Sequence, residues 1–389
     1  MVSSPQQGLT VEIELDVSVG NFLTDSADRG PSHTGAIEAL GNLASAYRAG
    51  HHIVIGPPEV FEVLRKCADL ASGDRLVYDE LLRRRSTSKL DVADHILLMA
   101  PGESEGIEKR PVGDGWVYVV PLSYFARRAL SDQTRLLCED LTDCYFYEAL
   151  VRSYLRANRV DGVAIVFYPV HGGGVRTGAV YRAAIDAGHC VLAIIDSDRS
   201  FPKDRDGATL RAVTEAHTEC GRGAISQLVA LKVREKENLI PPSLYKRDPR
   251  ATATQSLESL LAIESHPNLQ DRLRYLDYKR GLKVSAIKTN PTVREYFMPL
   301  FTECGGPIAT RNPVAQLGDE EFLIRPCVKN VAADFVWRAL EPSAEEVFLS
   351  WPNYLRDDIQ DLCRRLIAWG CTIAGREREF ATTGGPKSR

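Results

Sequence analysis

Acidic residues follow three of the four short apolar runs between residues 135 and 233, at the point where each run ends. These acids are Glu139 and Asp143, Asp196 and Asp198, and Glu235 and Glu237. Carboxylates are the ligands that hard divalent cations such as Mg²⁺ prefer, at about 2.1 Å, so no zinc-type set of histidines and cysteines is needed. Two such cations about 4 Å apart can activate a water molecule and stabilise the departing oxygen of a phosphodiester. The pattern therefore predicts a site for metal-assisted hydrolysis.

The remaining apolar run leads into three consecutive glycines, Gly172, Gly173 and Gly174. Such a triplet before a helix can bind a phosphate through its amide groups, or it can simply form a tight turn. Four basic side chains near the predicted opening of the site could bind further phosphates: Arg176, Arg199, Lys203 and Arg205.

A regular alternation of strands and helices must position these residues. The first predicted strand ends at Cys138, and the next three span Val163–Phe167, Val191–Ile195 and Leu228–Val233. The predicted helices between them are Tyr145–Leu155, Val175–Ala187 and Thr209–His217. Nearly all-apolar strands that alternate with helices are typical of a parallel sheet covered on both faces. Right-handed crossovers place all strand ends at one edge. We therefore expect an α/β fold in which Glu139, Asp196 and Asp198 converge.

The chain divides into three regions: 1–130, a small α/β region; 131–245, the regular region; and 246–389, mainly helical. The first region has strand-like runs at Val11–Val17, Ile53–Ile55 and Trp116–Val120, and polar surface segments at Ser72–Lys89 and Gly102–Gly115. The last region has an apolar stripe at helical spacing, formed by Leu355, Ile359, Leu362, Leu366 and Trp369. We expect this stripe to pack on the chain's own sheet, with an interface to another chain as the alternative.

Composition restricts the class of protein. The 389 residues carry 48 basic and 52 acidic side chains, a net charge of −4, so any nucleic-acid site must be local. The apolar stretches are far shorter than the roughly 18 residues of a membrane span, and the N-terminus does not resemble a signal peptide. We expect a cytoplasmic protein with no membrane segment. The nine cysteines never show C-x-x-C spacing, so neither a disulfide framework nor a zinc ribbon is expected.

The order of these acids resembles that of the TOPRIM domain of topoisomerases, DnaG-type primases and OLD-family nucleases. Glu139 and Asp143 come first and Asp196-x-Asp198 follows, on about 110 residues of alternating strands and helices. The segment Arg234-Glu235-x-Glu237-Asn238-Leu239-Ile240-Pro241 is similar to the acidic-Asn motif of OLD-like and stand-alone TOPRIM proteins. Weaker similarity to segments that follow TOPRIM cores extends to Asp277–Gly281 and Asp361–Gly370. The family has glycine directly after its first glutamate, where this chain has Asp140.

The resemblance implies a TOPRIM-type nuclease with a Rossmann-like sheet that cleaves DNA or RNA with Mg²⁺ or Mn²⁺, two ions in all, in antiviral defence or DNA repair. Glu139, Asp196 and Asp198 would hold the first metal. Asp143, Glu235 and Glu237 would serve a second metal or orient the others, Asn238 would fix a carboxylate, and Lys279 would contact the phosphate. The chain has no G-x-x-x-x-G-K-[ST] segment, so control by ATP would need a separately encoded ATPase or sensor subunit. Regulation by self-assembly into a homo-oligomer is the other possibility.

Three further interpretations stay open at this point. The central region could be a non-catalytic module that binds nucleic acid or a partner. It could also be a Rossmann-type nucleotide binder that uses Gly172–Gly174, although G-x-G-x-x-G is absent. Finally, four acids of the first region are loosely similar to the acidic set of PIN-type nucleases: Asp16, Glu62, Asp91 and Asp94. Asp91 and Asp94 would open an apolar helix. The favoured interpretation is that these four residues are helix caps and surface acids.

Overall fold

The computed structural model describes residues 12–25, 30–84, 94–103, 106–112, 115–126, 132–220, 225–247, 254–304, 316–327, 348 and 351–373. The protein is an α/β structure built on two sheets. The strands of the first sheet are β1 (Glu12–Leu15), β2 (Ile53–Ile55), β3 (Asp94–Met99), β4 (Glu108–Val112) and β5 (Gly115–Pro121). Their order is β2-β1-β3-β5-β4, and all pairs are parallel except β4 with β5.

Four helices accompany the first sheet: α1 (Val17–Asp25), α2 (Pro31–Ala49), α3 (Pro58–Leu64) and α4 (Ser72–Arg84). Helix α2 begins with a proline, whose fixed φ suits the first helical turn, and ends at Gly50, whose φ of 69° allows the left-handed cap. In α4 the Tyr78 hydroxyl is buried and donates to the carbonyl of Leu40, 2.7 Å away.

Two expectations for the first region are wrong, and a third segment is exposed as expected but includes a strand. Asp94 begins strand β3 rather than a helix, because the short apolar run that follows it fits a buried strand as well as a helix. The segment Gly102–Gly115 contains β4, whose residues are all exposed at the sheet edge. Most of Ser72–Lys89 is helix α4, with Val77, Tyr78 and Leu81 buried; its residues 85–89, like most of the tail beyond 373, lie outside the described ranges.

The second sheet has four parallel strands in the order β10-β9-β6-β8. The elements of this region are β6 (Arg135–Cys138), α5 (Leu141–Ala157), β7 (Val163–Ile165), β8 (Tyr168–His171), α6 (Thr177–Asp186), β9 (Val191–Ile195), α7 (Ala208–Cys220), β10 (Ser226–Ala230) and α8 (Pro242–Tyr245). The parallel sheet and its alternation with helices are as expected.

Alternate residues of the central strands enter two different cores. Leu136 and Leu192 join the large core that includes α5, whereas Leu137 and Ala193 join a smaller core with Val213 and other residues of α6 and α7. Because successive strand residues point to opposite faces, the sheet is covered by helices on both sides.

The second strand of this sheet is not where it was expected. The run Val163–Phe167 forms β7, which pairs antiparallel with a C-terminal strand, Cys371–Ile373. The chain then bends, and Tyr168–His171 forms β8 beside β6. Pro169 is tolerated there because β8 is an edge strand, where one side needs no amide donor. The last strand ends at Ala230, three residues before the expected end.

The C-terminal region is mainly helical in the described ranges and shares the large core. Its elements are α9 (Thr254–Glu264), β11 (Leu282–Lys283), α10 (Val284–Thr289), α11 (Pro291–Glu303), β12 (Phe322–Ile324), α12 (Asn353–Gly370) and β13 (Cys371–Ile373). The apolar stripe of α12 is buried, each residue at most 3% exposed, and it packs toward α5. Trp369 meets Tyr118 of the first sheet edge to face, with ring centroids 6.0 Å apart. The alternative that this stripe is an interface to another chain is therefore wrong.

None of the helices in the described parts of the chain is both long enough and apolar enough to cross a membrane.

Candidate active site

The first acidic segment joins β6 to α5. Asp140 caps the helix: its carboxylate accepts from the Thr142 amide at 2.8 Å, and the Asp143 carboxylate accepts from the Asp140 amide at 3.0 Å. This reciprocal capping satisfies two amides that the first helical turn leaves unpaired. The bond from Thr142 lowers the pKa of Asp140. Asp140 therefore works as a helix cap, while Glu139 precedes it at the end of the strand.

The second acidic segment follows β9. Asp196 accepts a hydrogen bond from the backbone amide of Lys236, 3.1 Å away. Asp198 has a φ of 55°, in the left-handed region that aspartate tolerates better than most residues, and its amide donates to the Arg234 carbonyl at 2.9 Å. A Cβ added at Gly207 would lie 2.7 Å from the Asp198 Cβ, so glycine is required for this aspartate to fit.

The third acidic segment is a buried 3-10 turn, Lys236–Leu239, which Glu235 precedes. Asn238 holds it in place by accepting from the Glu235 amide at 3.1 Å and donating to the carbonyls of Leu273 and Leu276 at 2.8 Å each. Among the described residues the side-chain amide of Asn238 bonds backbone atoms and no carboxylate, so the expectation that it fixes a carboxylate is wrong. It fixes the turn that carries the carboxylates of Glu235 and Glu237.

The carboxylates of the three segments converge at the carboxyl edge of the second sheet. Burial, and then the carboxylates of Asp143, Glu237, Glu139 and Glu235, raise the pKa of Asp196 well above its ordinary range. Burial, followed by repulsion from Asp198 and Asp143, raises the pKa of Glu139 to about 7. Residues that are distant in sequence therefore repel one another strongly at a shared location. We call the six residues Glu139, Asp143, Asp196, Asp198, Glu235 and Glu237 the acidic cluster.

Two lysines pair with members of the acidic cluster. Lys236 Nζ lies 2.5 Å from Asp143 Oδ1, and Lys279 Nζ lies 2.7 Å from Glu235 Oε2 and 3.3 Å from Glu237 Oε2. Although burial opposes its charge, the carboxylates of Glu237 and Glu235 raise the pKa of Lys279 above its ordinary value. Lys236 is only 6% exposed, so this segment is buried rather than a solvated strand end. The sequence offers no signal that Lys236 joins the cluster.

Arg234 and Asp277 form a second pair that the sequence does not reveal. Arg234 Nη2 lies 3.2 Å from Asp277 Oδ2, and its Nη1 donates to the Ser200 hydroxyl at 3.0 Å. Asp277 also accepts from the backbone amides of Lys279 and Arg280, at 3.0 and 2.7 Å. This pair ties the Asp277–Gly281 turn to the third acidic segment and so positions Lys279 beside the cluster.

Some carboxylate oxygens of the cluster are buried without a hydrogen-bond donor among the described residues. Glu139 Oε1 and Glu237 Oε1 are buried and accept no hydrogen bond from the described residues, whereas Glu237 Oε2 contacts the Lys279 ammonium group. As the side chains stand, however, no three acidic, histidine or cysteine side chains in the described ranges form a group that could hold a metal ion. Metal binding would therefore require the side chains of the cluster to rearrange.

The glycine turn packs tightly against β6. Gly172 donates to the Cys138 carbonyl at 2.8 Å, and Gly173 to the Glu139 carbonyl at 3.1 Å. Gly173 and Gly174 have φ values of 77° and 64°. Two of the three amides are thus bonded within the fold, which favours the tight turn over the phosphate-binding alternative.

The predicted phosphate-binding cations differ in their surroundings. Arg199 pairs with Asp206 at 2.6 Å. Arg176, Lys203 and Arg205 are exposed, and their charged groups contact no acid of the described residues. These three cations keep their charge available at the surface.

The acids of the first region do not form a comparable cluster. Asp16 accepts from the Ser18 amide at 2.8 Å and caps α1. Glu62 pairs with Arg65 at 2.7 Å and Lys66 at 3.1 Å, and their hydrogen bonds lower its pKa. Asp91 lies outside the described residues, and Asp94 begins β3. These contacts fit the interpretation of helix caps and surface acids.

Comparison of this chain with models of protein families, with curated proteins and with solved structures finds no match.

Proposed function

We propose that this protein is a metal-dependent nuclease of TOPRIM type that hydrolyses phosphodiester bonds in DNA or RNA with Mg²⁺ or Mn²⁺. The observation that carries the proposal is the convergence of six carboxylates, from three segments that together span residues 139 to 237, at the carboxyl edge of one parallel sheet. Open α/β sheets bind their ligands at this edge. A protein that only needed to fold would gain nothing from such repulsion, whereas a cation would relieve it.

The chemistry of the cluster suits a hard divalent cation. Its donors are all oxygens, as Mg²⁺ prefers. The buried Glu139 Oε1 and Glu237 Oε1 accept no hydrogen bond from the described residues, so they are free to accept a metal. Asp196 and Asp198 lie two residues apart in the loop after β9. We infer that Glu139, Asp196 and Asp198 hold one ion, and that Asp143, Glu235 and Glu237 hold a second or orient the first group.

The bound cation would supply a nucleophilic water and neutralise charge on the phosphate. The chain's own groups would do the rest. Glu139, with a pKa of about 7, is suited to accept a proton near neutral pH when it is not bound to metal. Lys279 is held beside the cluster by two carboxylates, and its ammonium group can turn to a phosphate oxygen once those carboxylates bind metal. Arg176, Lys203 and Arg205 would hold neighbouring phosphates.

The test is cleavage of labelled DNA and RNA, single-stranded and duplex, by the purified full chain with Mg²⁺, Mn²⁺ or a chelator. We expect cleavage only with the metals, and its loss in Asp196→Ala. Removing one of several repelling carboxylates leaves the metal-free fold as stable or more stable, so circular dichroism and thermal unfolding should show a folded variant. The matched control is Asp186→Ala, at an exposed aspartate that ends α6. An Asp196→Ala protein that cuts at the natural rate would refute the assignment.

One observation favours a second candidate, a non-catalytic module that binds nucleic acid. Lys236 and Lys279 already neutralise part of the cluster, and they could do so permanently in place of a metal. Calorimetry separates the two candidates. Binding of Mn²⁺ that Asp196→Ala abolishes supports the nuclease, whereas nucleic-acid binding without any metal binding supports the module.

A further inference from the structure

A cleft of about 410 Å³ opens beside the acidic cluster, in the size range of small-ligand sites. It lies between the Asp277–Gly281 turn and helices α10 and α11. Its floor is apolar, with Leu276, Val293 and Phe297 each less than 9% exposed. Arg234, Arg280 and Lys283 also line it. The cleft therefore combines an apolar floor with a basic rim.

The cleft and the acidic cluster share a wall. Lys279 contacts Glu235 and Glu237 of the cluster, while the next residue, Arg280, lines the cleft. The Cα atoms of consecutive residues are about 3.8 Å apart. Arg234 likewise lines the cleft while the residue after it, Glu235, belongs to the cluster. A molecule in the cleft would thus lie beside the acidic cluster.

The charge of the cleft is positive. Asp277 is the one carboxylate among the described residues that line it, and Arg234 neutralises that carboxylate. Arg280 is exposed, and its guanidinium pairs with no acid in the described ranges. Lys283 pairs with Glu320, whose side chain is 86% exposed, so solvent screens that pair. An anionic group on an apolar body fits this arrangement.

We propose that the cleft binds one nucleoside phosphate unit of a single-stranded nucleic acid, with its base on the apolar floor and its phosphate on Arg280. This inference rests on the proposed function and specifies its substrate class. A base in a duplex is stacked and paired, and must be extruded before it can enter such a cleft. An unpaired strand presents its bases directly, and contacts between bases and apolar or aromatic side chains bind it without sequence preference. The adjoining phosphate then lies toward the acidic cluster.

The experiment measures binding by fluorescence anisotropy in a chelator, so that cleavage does not intervene. The probes are a labelled ten-nucleotide single strand and the duplex of the same sequence. Arg280→Ala removes the cation, and Ala286→Trp fills the cleft, whose wall includes Ala286. Arg247→Ala is the control, at an exposed arginine that does not line the cleft. Adenosine monophosphate, used as competitor, distinguishes a strand from a free nucleotide as the natural occupant.

We expect the single strand to bind more tightly than the duplex, and each cleft variant to weaken that binding about tenfold, the effect of losing about 1.4 kcal/mol. The control should bind as the natural protein does. Competition by the mononucleotide at micromolar concentration would identify a free nucleotide as the occupant of the same site. Unchanged strand binding in a folded Arg280→Ala protein would overturn the inference, even if the protein cuts. Strand binding that depends on Arg280 in a protein that never cuts would support the inference and remove the proposed nuclease activity.

Discussion

The raised pKa of Glu139 leads to a prediction about stability. A carboxyl group whose pKa rises from 4.5 to about 7 on folding costs up to about 3 kcal/mol when it is ionised, at about 1.4 kcal/mol for each pKa unit. Glu139 is partly exposed to solvent, which screens the repulsion, so we expect about 1.5 kcal/mol. Glu139→Gln keeps the shape of the side chain and removes this cost.

The sign follows from the direction of the pKa change. Below pH 4.5 the group is protonated in both the folded and the unfolded chain, so it costs nothing. Between pH 4.5 and 7 the unfolded chain releases the proton first, and stability falls as pH rises; above pH 7 the full cost is present. In a chelator, Glu139→Gln should therefore match the natural protein near pH 4.5 and exceed it at pH 8. For 389 residues, 1.5 kcal/mol corresponds to about 2 °C in Tm.

The assay is thermal unfolding by circular dichroism from pH 4.5 to 8, with and without Mg²⁺. Glu215→Gln is the matched control, because Glu215 is exposed on α7 and should give the natural profile. Added Mg²⁺ should raise the Tm of the natural protein at pH 8 and raise that of Glu139→Gln much less. A Glu139→Gln protein that loses as much stability as the natural one between pH 4.5 and 8 would refute the electrostatic reasoning.

Other predictions follow from the same site. Asn238→Ala removes three buried hydrogen bonds and should cost about 3 kcal/mol in urea unfolding; a cost below about 1 kcal/mol would show that the acidic turn holds its shape without this side chain. Gly172→Ala places a Cβ 2.7 Å from the Cys138 carbonyl oxygen, so we expect a Tm lower by several degrees or insoluble protein. The control Gly35→Ala, in α2 where the added Cβ meets nothing, should leave the Tm unchanged or slightly higher, because alanine is favoured over glycine inside a helix. The purified chain alone should be weak on plain duplex DNA and be stimulated by a partner, as the missing P-loop suggests; robust cutting by the monomer with Mg²⁺ would show that no partner is needed.

The sequence predicts the second sheet well because its strands are short, apolar and evenly spaced by helices. Strand β9 lies at its expected bounds, Val191–Ile195. Strand β8 is absent from the expected strands, because proline is typical of turns. Pro169 is acceptable in this strand only because β8 lies at the edge of the sheet. The apolar residues of strand β3 show no periodicity that would distinguish a buried strand from a buried helix.

The candidate site, too, can be predicted from the sequence only in part. The acids could be identified because each follows a predicted strand, and parallel strands end at one edge. The roles of Lys236 and Asn238 could not be identified, since their partners lie about 90 and 35 residues away. Such contacts depend on how the loops after the strands fold back, for which local spacing gives no information.

The position of α12 affects how the chain can fold. Its stripe closes the large core over α5, and the strand that follows it, β13, pairs with β7 some 200 residues earlier. During synthesis both sheets are complete before this helix leaves the ribosome, so a broad apolar face of α5 stays exposed until then. Pairings this distant in sequence form slowly, because a long loop must close first. A nascent chain that has made only its first 350 residues is therefore the form most exposed to aggregation and to chaperones.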